Sequence, residues 1–301
     1  MSARRTSARL AVAGGVAAVL ATLGVGSARL RSQAATADSV TFVGAGDIAI
    51  CSNLTAARAT AKLLDAIPGT IFTLGDHNYK RGDALEFRDC YGSTWGPFKA
   101  RTRPTIGNHD LIVSRGRPYF DYFGDNAGPE RRGYYSFDLG AWHLVSLNSD
   151  APLKSDSAQV KWLKQDLAEH ANACVLAYWH VPRFSSGADV DKSLGDVWKV
   201  LYDAGVDVVL NGHVHDYERF APQDDQGRPD PARGIREFIV GTGGGVLDPI
   251  KQPAPNSEIY NDRTHGVLKL TLNAQSYAWE FVPVAGQRFR DAGTAQCSPS
   301  R

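Results

Sequence analysis

From residue 40 onward the apolar positions fall into two rhythms. "VTFVGAGD" (40–47), "TIFTLGD" (70–76), "CVLAYWH" (174–180) and "VDVVLNGHVH" (206–215) are nearly unbroken apolar runs that close on a polar residue. That is the pattern of strands buried on both faces. "TAARATAKLLDAI" (55–67), "SAQVKWLKQDLAEHA" (157–171) and "SLGDVWKVLYDAG" (193–205) instead space their apolar residues at helical intervals, with Val160, Leu163 and Leu167 on one face of the second. "YYSFDLG" and "AWHLVSLNSD" read as a hairpin about Gly140, and "REFIVGTGG", "GVLKLTL" and "SYAWEFVPV" as further strands. "RPTIGNHD" ends as a strand does. Mixed hairpin and strand–helix–strand units predict an α/β class, a sandwich of sheets with helices outside. "QDDQGRPDPARG" and "KQPAPNSE" read as surface loops, and no linker is long enough to force a second folded domain.

The first residues follow a different logic. "MSARRTSARL" is basic, "AVAGGVAAVLATLGVG" is apolar but short and glycine-rich for a membrane span, and "ATA" at 35–37 offers a small-residue cleavage site. The expectation is a secretory signal over 1–37, or an N-terminal anchor that Arg29 and Arg31 would flank, followed by a catalytic domain over 38–301. Arg4-Arg5 resembles a twin-arginine signal, but the residues after the pair fit poorly. Four cysteines suit an exported chain, and none forms Cys-x-x-Cys, which argues against thiolate zinc. With 33 basic and 32 acidic side chains the charge is balanced, so broad nucleic-acid binding is not expected.

The polar residues that close the strands carry the chemistry. They are Asp47 in "GAGD", Asp76 and Tyr79 in "LGDHNY", Asn108, His109 and Asp110 in "GNHD", His180 in "AYWH", and His213 and His215 in "NGHVH". One such strand end is an ordinary loop cap. Five of them in one chain point to a metal site, because function in α/β sheets collects beyond the carboxyl ends of strands. If strand geometry persists through 211–215, His213 and His215 project to the same side. Asp47, Asp76, Tyr79, Asn108, His180, His213 and His215 make seven candidate ligands, too many for one four-coordinate ion and suited to two with a bridging carboxylate. Oxygen and imidazole donors without thiolate suit iron, zinc or manganese. His143 within a strand, His170 on the polar side of a helix and His265 before a strand are read as structural. "GTGGG" (241–245) lacks the lysine and spacing of a nucleotide loop and is read as a tight turn near the site.

These motifs, in this order from about Val40 to Val284, resemble the calcineurin-like metallophosphoesterase superfamily. The resemblance is closest to its purple acid phosphatase branch, in the bacterial form that lacks an N-terminal sandwich domain. It implies a four-layer α/β/β/α sandwich of the metallo-dependent phosphatase type and two metal ions. Asp47, Asp76, Tyr79 and His215 would hold the first; Asp76, Asn108, His180 and His213 would hold the second, with Asp76 bridging. Tyr79 stands where much of the superfamily has Asp-x-His in the first motif; here that motif is Asp47-Ile48-Ala49. A phenolate there implies Fe3+ at the first site, with Fe2+, Zn2+ or Mn2+ at the second. His109 would protonate the leaving group, and Asp110 would orient it or serve the turn. His77, beside Asp76, is read first as a solvent-facing loop histidine and second as a partner behind the metal ligands.

The implied activity is hydrolysis of small phosphoesters by an exported, extracytoplasmic enzyme, with no nucleic-acid partner and no membrane contact beyond a possible N-terminal anchor. A hydroxide held between the ions would attack phosphorus in line. A phosphomonoesterase is the first reading, a phosphodiesterase the second, and a metal-bearing binding protein with decayed catalysis the third. Plant purple acid phosphatases carry further histidines after the one matching His180; "WHVPRFSSGADVDK" has none. Arg183 in that stretch is a candidate phosphate ligand or a surface salt bridge. Sequence alone allows three disulfide pairings. The expected one joins Cys51 to Cys90, tying the loops after the first two metal motifs, and Cys174 to Cys297.

Overall fold

The computed structural model describes residues 39–170, 174–187 and 190–298. The proposed signal or anchor segment over 1–37 lies outside the described residues. Strands run in the order β1 (Val40–Ala45), β2 (Ala49–Ile50), β3 (Thr70–Leu74), β4 (Asn78–Tyr79), β5 (Thr102–Thr105), β6 (Tyr135–Leu139), β7 (Trp142–Ser146), β8 (Cys174–Trp179), β9 (Val208–Asn211), β10 (Tyr217–Phe220), β11 (Arg236–Val240), β12 (Ser257–Asn261), β13 (Gly266–Leu272), β14 (Ser276–Pro283) and β15 (Ala292–Gln296).

Two large sheets result. One has the order β15-β14-β13-β1-β3-β5, the other β12-β10-β11-β9-β8-β7-β6. In the first, β1, β3 and β5 are parallel; in the second, β7, β8, β9 and β11 are parallel. Parallel strands need both faces covered, which explains their continuous apolar runs. Between the sheets Phe42 and Phe72 of the first pack with Leu176, Tyr178, Leu210 and Phe238 of the second in one core. Pro104 sits in β5, an edge strand, where a missing N–H costs no ladder bond.

Helices cover the outer faces. The helix Thr55–Ala66 buries Ala57, Thr60 and Leu64, one stripe at three- and four-residue spacing. The helix Ala158–Glu169 is capped by the Ser157 hydroxyl, which accepts from the Val160 N–H, and it buries Val160, Leu163 and Leu167. The helix Gly195–Ala204 ends where Gly205 takes a left-handed φ of 79°. Both of the latter helices pack on Val175, Ala177 and Val209 of the second sheet in a separate core cluster. The arrangement is an α/β/β/α sandwich, as the motifs implied. Gly140 turns the expected hairpin between β6 and β7 with φ 62°.

Both disulfides join the expected partners, Cys51 to Cys90 and Cys174 to Cys297. Strands β10, β12 and β15 were not legible, and β12 begins inside the stretch read as a loop. Among the described residues no helix is long and apolar enough to cross a membrane.

Asp207, beside the Cys174–Cys297 bridge, accepts backbone N–H bonds from Val175 and Ser298 and so pins the C-terminal tail. Burial outweighs those bonds and pushes its carboxyl up to about 6. A carboxyl whose folded value is raised binds its proton more tightly when folded. Its contribution to stability is therefore full below about pH 4 and is lost as pH rises through about 6. The shift corresponds to at most about 3 kcal/mol. Melting the wild type and Asp207→Asn side by side from about pH 4 to pH 7 should show the wild type losing ground to the variant across that window. A constant difference between the two would refute this.

Candidate metal centre

Because both sheets place the carboxyl ends of their parallel strands at one edge, five strand ends meet there. Asp47 follows β1, Asp76 follows β3, Asn108 follows β5, His180 follows β8, and His213 and His215 follow β9. The loops after β1 and β3 run side by side: the N–H groups of Asp47, Ile48 and Ala49 donate to the carbonyls of Gly75, Asp76 and His77. Pairing of β2 with β4 continues this ladder to Tyr79. Gly75 and Gly107 make the close approach possible. Gly75 has φ +81°, and a Cβ there would lie 2.6 Å from His180 Nδ1. A Cβ on Gly107 would lie 2.2 Å from Asp76 Oδ1. Asp47, Asp76 and His213 themselves adopt left-handed φ values of 61°, 49° and 69°. Such backbone costs on the order of 1 kcal/mol or more per residue and persists where the surroundings over-determine it.

All seven expected ligands converge in two linked groups. In the first, Tyr79 Oη lies 2.8 Å from Asp47 Oδ1 and 2.8 Å from His215 Nε2. His215 Nε2 is 3.3 Å from the same Asp47 oxygen. In the second, His180 Nε2 lies 3.0 Å from Asn108 Oδ1, 3.4 Å from Asp76 Oδ2 and 3.2 Å from His213 Nδ1. Ligand atoms of Asp76, His180 and His213 all fall within 4.8 Å of one another.

The donor chemistry fits metal. His180 Nδ1–H donates to the Leu74 carbonyl at 2.6 Å, and His215 Nδ1–H donates to the Val246 carbonyl at 2.7 Å. Each ring is thereby turned so that Nε2 points inward, as outer partners orient metal-ligating imidazoles. His180 Nε2 and His213 Nδ1 face each other, which requires a proton or a Lewis acid at hand. The glycine turn at 241–245 seats this edge, with the Gly245 N–H donating to the Asp47 carbonyl at 2.7 Å.

Protein groups alone set strong electrostatics. Burial opposes charge on His180, but Asp76 beside it outweighs burial and pushes the ring up to about 10. Burial likewise opposes charge on His215, and Asp47 raises it to about 9. Against its burial, His180 and then His109 hold Asp76 well below the usual carboxylate range. Burial and then Asp47 push the Tyr79 phenol well up. Cations that bind here must displace these protons.

His77 does not face solvent: it is fully buried, packed among Phe87, Tyr91, Tyr119 and Phe123. Asp110 is its partner, accepting from His77 Nδ1–H at 2.8 Å and from the Gly107 N–H at 3.0 Å. The carboxylate thus clamps the loops after β3 and β5 together. His109 is held instead by its Nδ1–H donating to the Lys80 carbonyl at 2.9 Å, with Nε2 3.9 Å from Asp76 Oδ2.

Arg183 forms no salt bridge among the described residues; its guanidinium donates to the carbonyls of Lys192 and Asp225 and lies over the Phe184 ring. It lines a cavity of about 460 Å³ together with Phe184, Gln223 and Gln226. Strand β9 ends at Asn211, so His213 and His215 do not project as strand neighbours. The left-handed turn at His213 sends one ring to each ligand group. The orienting carbonyls of Leu74 and Val246 were not visible in the sequence, since any residue supplies a carbonyl.

A chain stripped of metal by a chelator should release protons from His180 and His215 when it takes up Zn2+ near pH 7. Calorimetry in buffers of different ionisation heat reads that release. Apparent affinity should climb with pH up to about 9–10, where the rings would lose their protons anyway. Uptake with no net proton release would contradict the assignment of Nε2 as the donor atom in both rings.

The comparisons agree with this geometry. Residues 40–217 match the family model for calcineurin-like phosphoesterases. Purple acid phosphatase 18 of Arabidopsis thaliana is 28% identical over 269 residues, covering 80% of this chain and 59% of the relative. A purple acid phosphatase from yellow lupin seeds superposes with a TM-score of 0.73 at 19% identity, over 87% of this chain and 54% of that one. GAP50, described as the anchor in the inner membrane complex of Plasmodium, superposes with a TM-score of 0.68 at 14% identity, over 87% of this chain and 90% of that one. The chain thus spans somewhat more than half the length of the plant proteins it matches. It belongs to the calcineurin-like phosphoesterase family.

Proposed function

We propose that residues 38–301 are an exported dinuclear-metal phosphoester hydrolase, acting first on phosphomonoesters; its likeness to proteins named purple acid phosphatases supports this. One observation supports this reading: two donor groups, one of Asp47, Tyr79 and His215 and one of Asp76, Asn108, His180 and His213, lie together and are joined where the His213 N–H donates to Asp47 Oδ2 at 2.9 Å. Bound there, two cations would activate water and neutralise charge on the phosphoryl oxygens. Tyr79 favours Fe3+ in the first group, with Fe2+, Zn2+ or Mn2+ in the second. The two disulfides favour an oxidising compartment, which agrees with a cleaved signal over 1–37.

The chain's own residues do the remaining work. Asp47 and Asp76 supply fixed negative charge in a water-poor pocket. His109 stands at the rim, about one-third exposed. With Nδ1–H committed to the Lys80 carbonyl, its Nε2 carries the mobile proton. From there it would protonate the departing oxygen of the ester. The Asp110–His77 pair holds the "GNHD" turn that presents Asn108 and His109. A diesterase remains the second reading. The stretch from Val181 to Lys192 brings no histidine, and the Arg183 guanidinium there donates to the carbonyls of Lys192 and Asp225.

Metal analysis with a visible spectrum, followed by rates on matched mono- and diesters, tests the reading. The protein should be pink to purple, because phenolate on ferric iron absorbs visible light, and Tyr79→Phe should be colourless. A colourless wild type with two zinc ions and no iron removes the iron assignment alone; absence of hydrolysis on every ester by the fully loaded protein removes the function.

Asn108→Ala should lower occupancy of the second metal, whereas His109→Ala should keep both metals. Loss of a general acid typically slows turnover about 10²–10⁴-fold. That loss should be small for nitrophenyl phosphate, whose leaving group needs little protonation, and large for an alkyl phosphate. Equal slowing on both substrates would show that His109 positions phosphate instead.

A further inference from the structure

Behind the turn that carries His109, a cavity of about 660 Å³ opens between residues 83–87, residues 113–114 and the helix Arg117–Phe123. Its size is that of a small-molecule cleft. Phe87 and Tyr122 form its inner wall with ring centroids 5.2 Å apart, and Ala84, Leu85, Val113 and Pro118 line the rest. Leu85 is 59% exposed and Ile112, beside Val113, is 54% exposed, so large apolar side chains stand in water here. The two carboxylates of the lining are committed to the protein. Asp83 accepts from the N–H groups of Leu85 and Glu86 at 3.0 Å each, and Asp121 accepts from Arg117 and Arg131. Walls of this kind suit an occupant that gains from apolar contact.

The two segments that hold His109 run directly into this cavity. Lys80, whose carbonyl accepts from His109 Nδ1–H, precedes the lining residue Asp83 by three positions. Val113 follows His109 by four positions, about one helical turn, a rise of ~6 Å. Gly82 presses on the turn itself, since a Cβ there would lie 2.7 Å from the His109 carbonyl oxygen. The Glu86 carboxylate accepts from the N–H groups of Lys80, Arg81 and Gly82 at 3.0, 3.0 and 2.7 Å. That wall is therefore fixed before anything binds, which lowers the ordering cost of an occupant. Phe87 packs on His77 at 5.9 Å between centroids, and His77 is bonded to Asp110 of the same turn. The cavity and the turn that presents His109 are thus one packed unit.

We propose that this cavity is the subsite for the leaving alcohol, and that it selects phosphoesters whose alcohol carries an apolar chain or ring. The inference rests on the hydrolase reading above, in which His109 Nε2 protonates the departing oxygen. That oxygen then lies at His109, and the carbon skeleton attached to it continues past His109, where Leu85 and Val113 offer apolar contact. Each methylene that leaves water for such walls is worth roughly fourfold in affinity when fully buried. The competing account is a solvent-filled hollow with no part in recognition.

Hexylphosphonate and methylphosphonate, whose carbon–phosphorus bond resists hydrolysis, are titrated calorimetrically into the full chain with its metal centre filled. The wild type is compared with Leu85→Asp and Ala84→Trp. Both positions are exposed, so neither change disturbs the core, and a tryptophan at 84 fills the cavity from the solvent side. The wild type should bind hexylphosphonate about tenfold or more tightly than methylphosphonate, and that ratio should shrink toward one in both variants. With hexyl phosphate relative to ethyl phosphate as substrate, both changes should raise KM more than they lower kcat. Because the ratio is read from binding alone, the two readings fail separately. A loaded protein that hydrolyses no ester but keeps the chain-length preference loses the hydrolase reading and keeps the apolar subsite. A wild-type ratio near one, or a ratio unchanged in both variants, overturns the subsite whatever the rates of hydrolysis.

Discussion

Two carboxylates, Asp47 and Asp76, are buried side by side where the edges of both sheets meet, one fully and one 2% exposed. Removing such charges from water costs several kcal/mol each unless close partners compensate. The chain meets that cost from every direction at once. His180 and His215 place positive charge against them. The N–H groups of His109 and His213 donate to Asp76 Oδ1 and Asp47 Oδ2. The strained φ values at Asp47, Asp76 and His213 follow from the same demand, since these residues can meet only if the chain turns sharply off each strand. A site that concentrates so much negative charge and so many oriented imidazole nitrogens is stable with protons or with cations, and cations are the stronger compensation.

This constraint explains which features were legible in the sequence. The parallel strands announce themselves because both faces are buried, so β1, β3, β8 and β9 read directly from their apolar runs. The ligands follow because each sits at the end of such a run. Strands β10, β12 and β15 escaped for the opposite reason. They run antiparallel toward the sheet edges, where charged residues such as Arg219 and Glu258 pair with each other and with Asp291 across the surface and break the apolar pattern. His77 was misread because nothing in "GDHNY" says which side of the loop is the core. Its burial depends on aromatic residues from 87 to 123, a stretch of short helical turns with no periodicity of its own. Of the two readings left open for Asp110, the turn is the one the structure shows: the helical turn at 108–111 points the carboxylate back to Gly107 and, beyond it, to His77.

The covering loops show a second buried-charge solution, one that uses hydrogen bonds rather than opposite charge. Glu218 on β10 is fully buried and accepts from the Ser186 N–H, the Ser186 hydroxyl and the Ser257 hydroxyl. One carboxylate thereby fastens the segment after His180 and the segment leading into β12 to the sheet. Glu237 beside it has no such full set, and burial followed by the charge of Glu218 pushes its carboxyl well up, so it is held neutral. The stretch after His180 is a strap tied down by Glu218 and by the Arg183 bonds to the Lys192 and Asp225 carbonyls.

The same reasoning separates what the fold says from what the site says. A sandwich with this topology superposes both on a purple acid phosphatase and on a protein described as an anchor, at similar scores and at identities too low to decide between them. Architecture alone therefore leaves hydrolysis and scaffolding equally open. The discriminating feature is the state of the ligand set. A site released from catalysis has no reason to keep Gly75 and Gly107 where a single Cβ would strike His180 or Asp76, nor to hold two carboxylates in buried proximity at the cost of backbone strain. Here each imidazole of the His180 and His215 pair is aimed by its own backbone carbonyl, and glycines stand where the turns pass closest. Buried carboxylates and oriented imidazoles in this arrangement are the donor chemistry that metal-dependent phosphoester hydrolysis uses, which is why the proposed function rests on the site and not on the architecture.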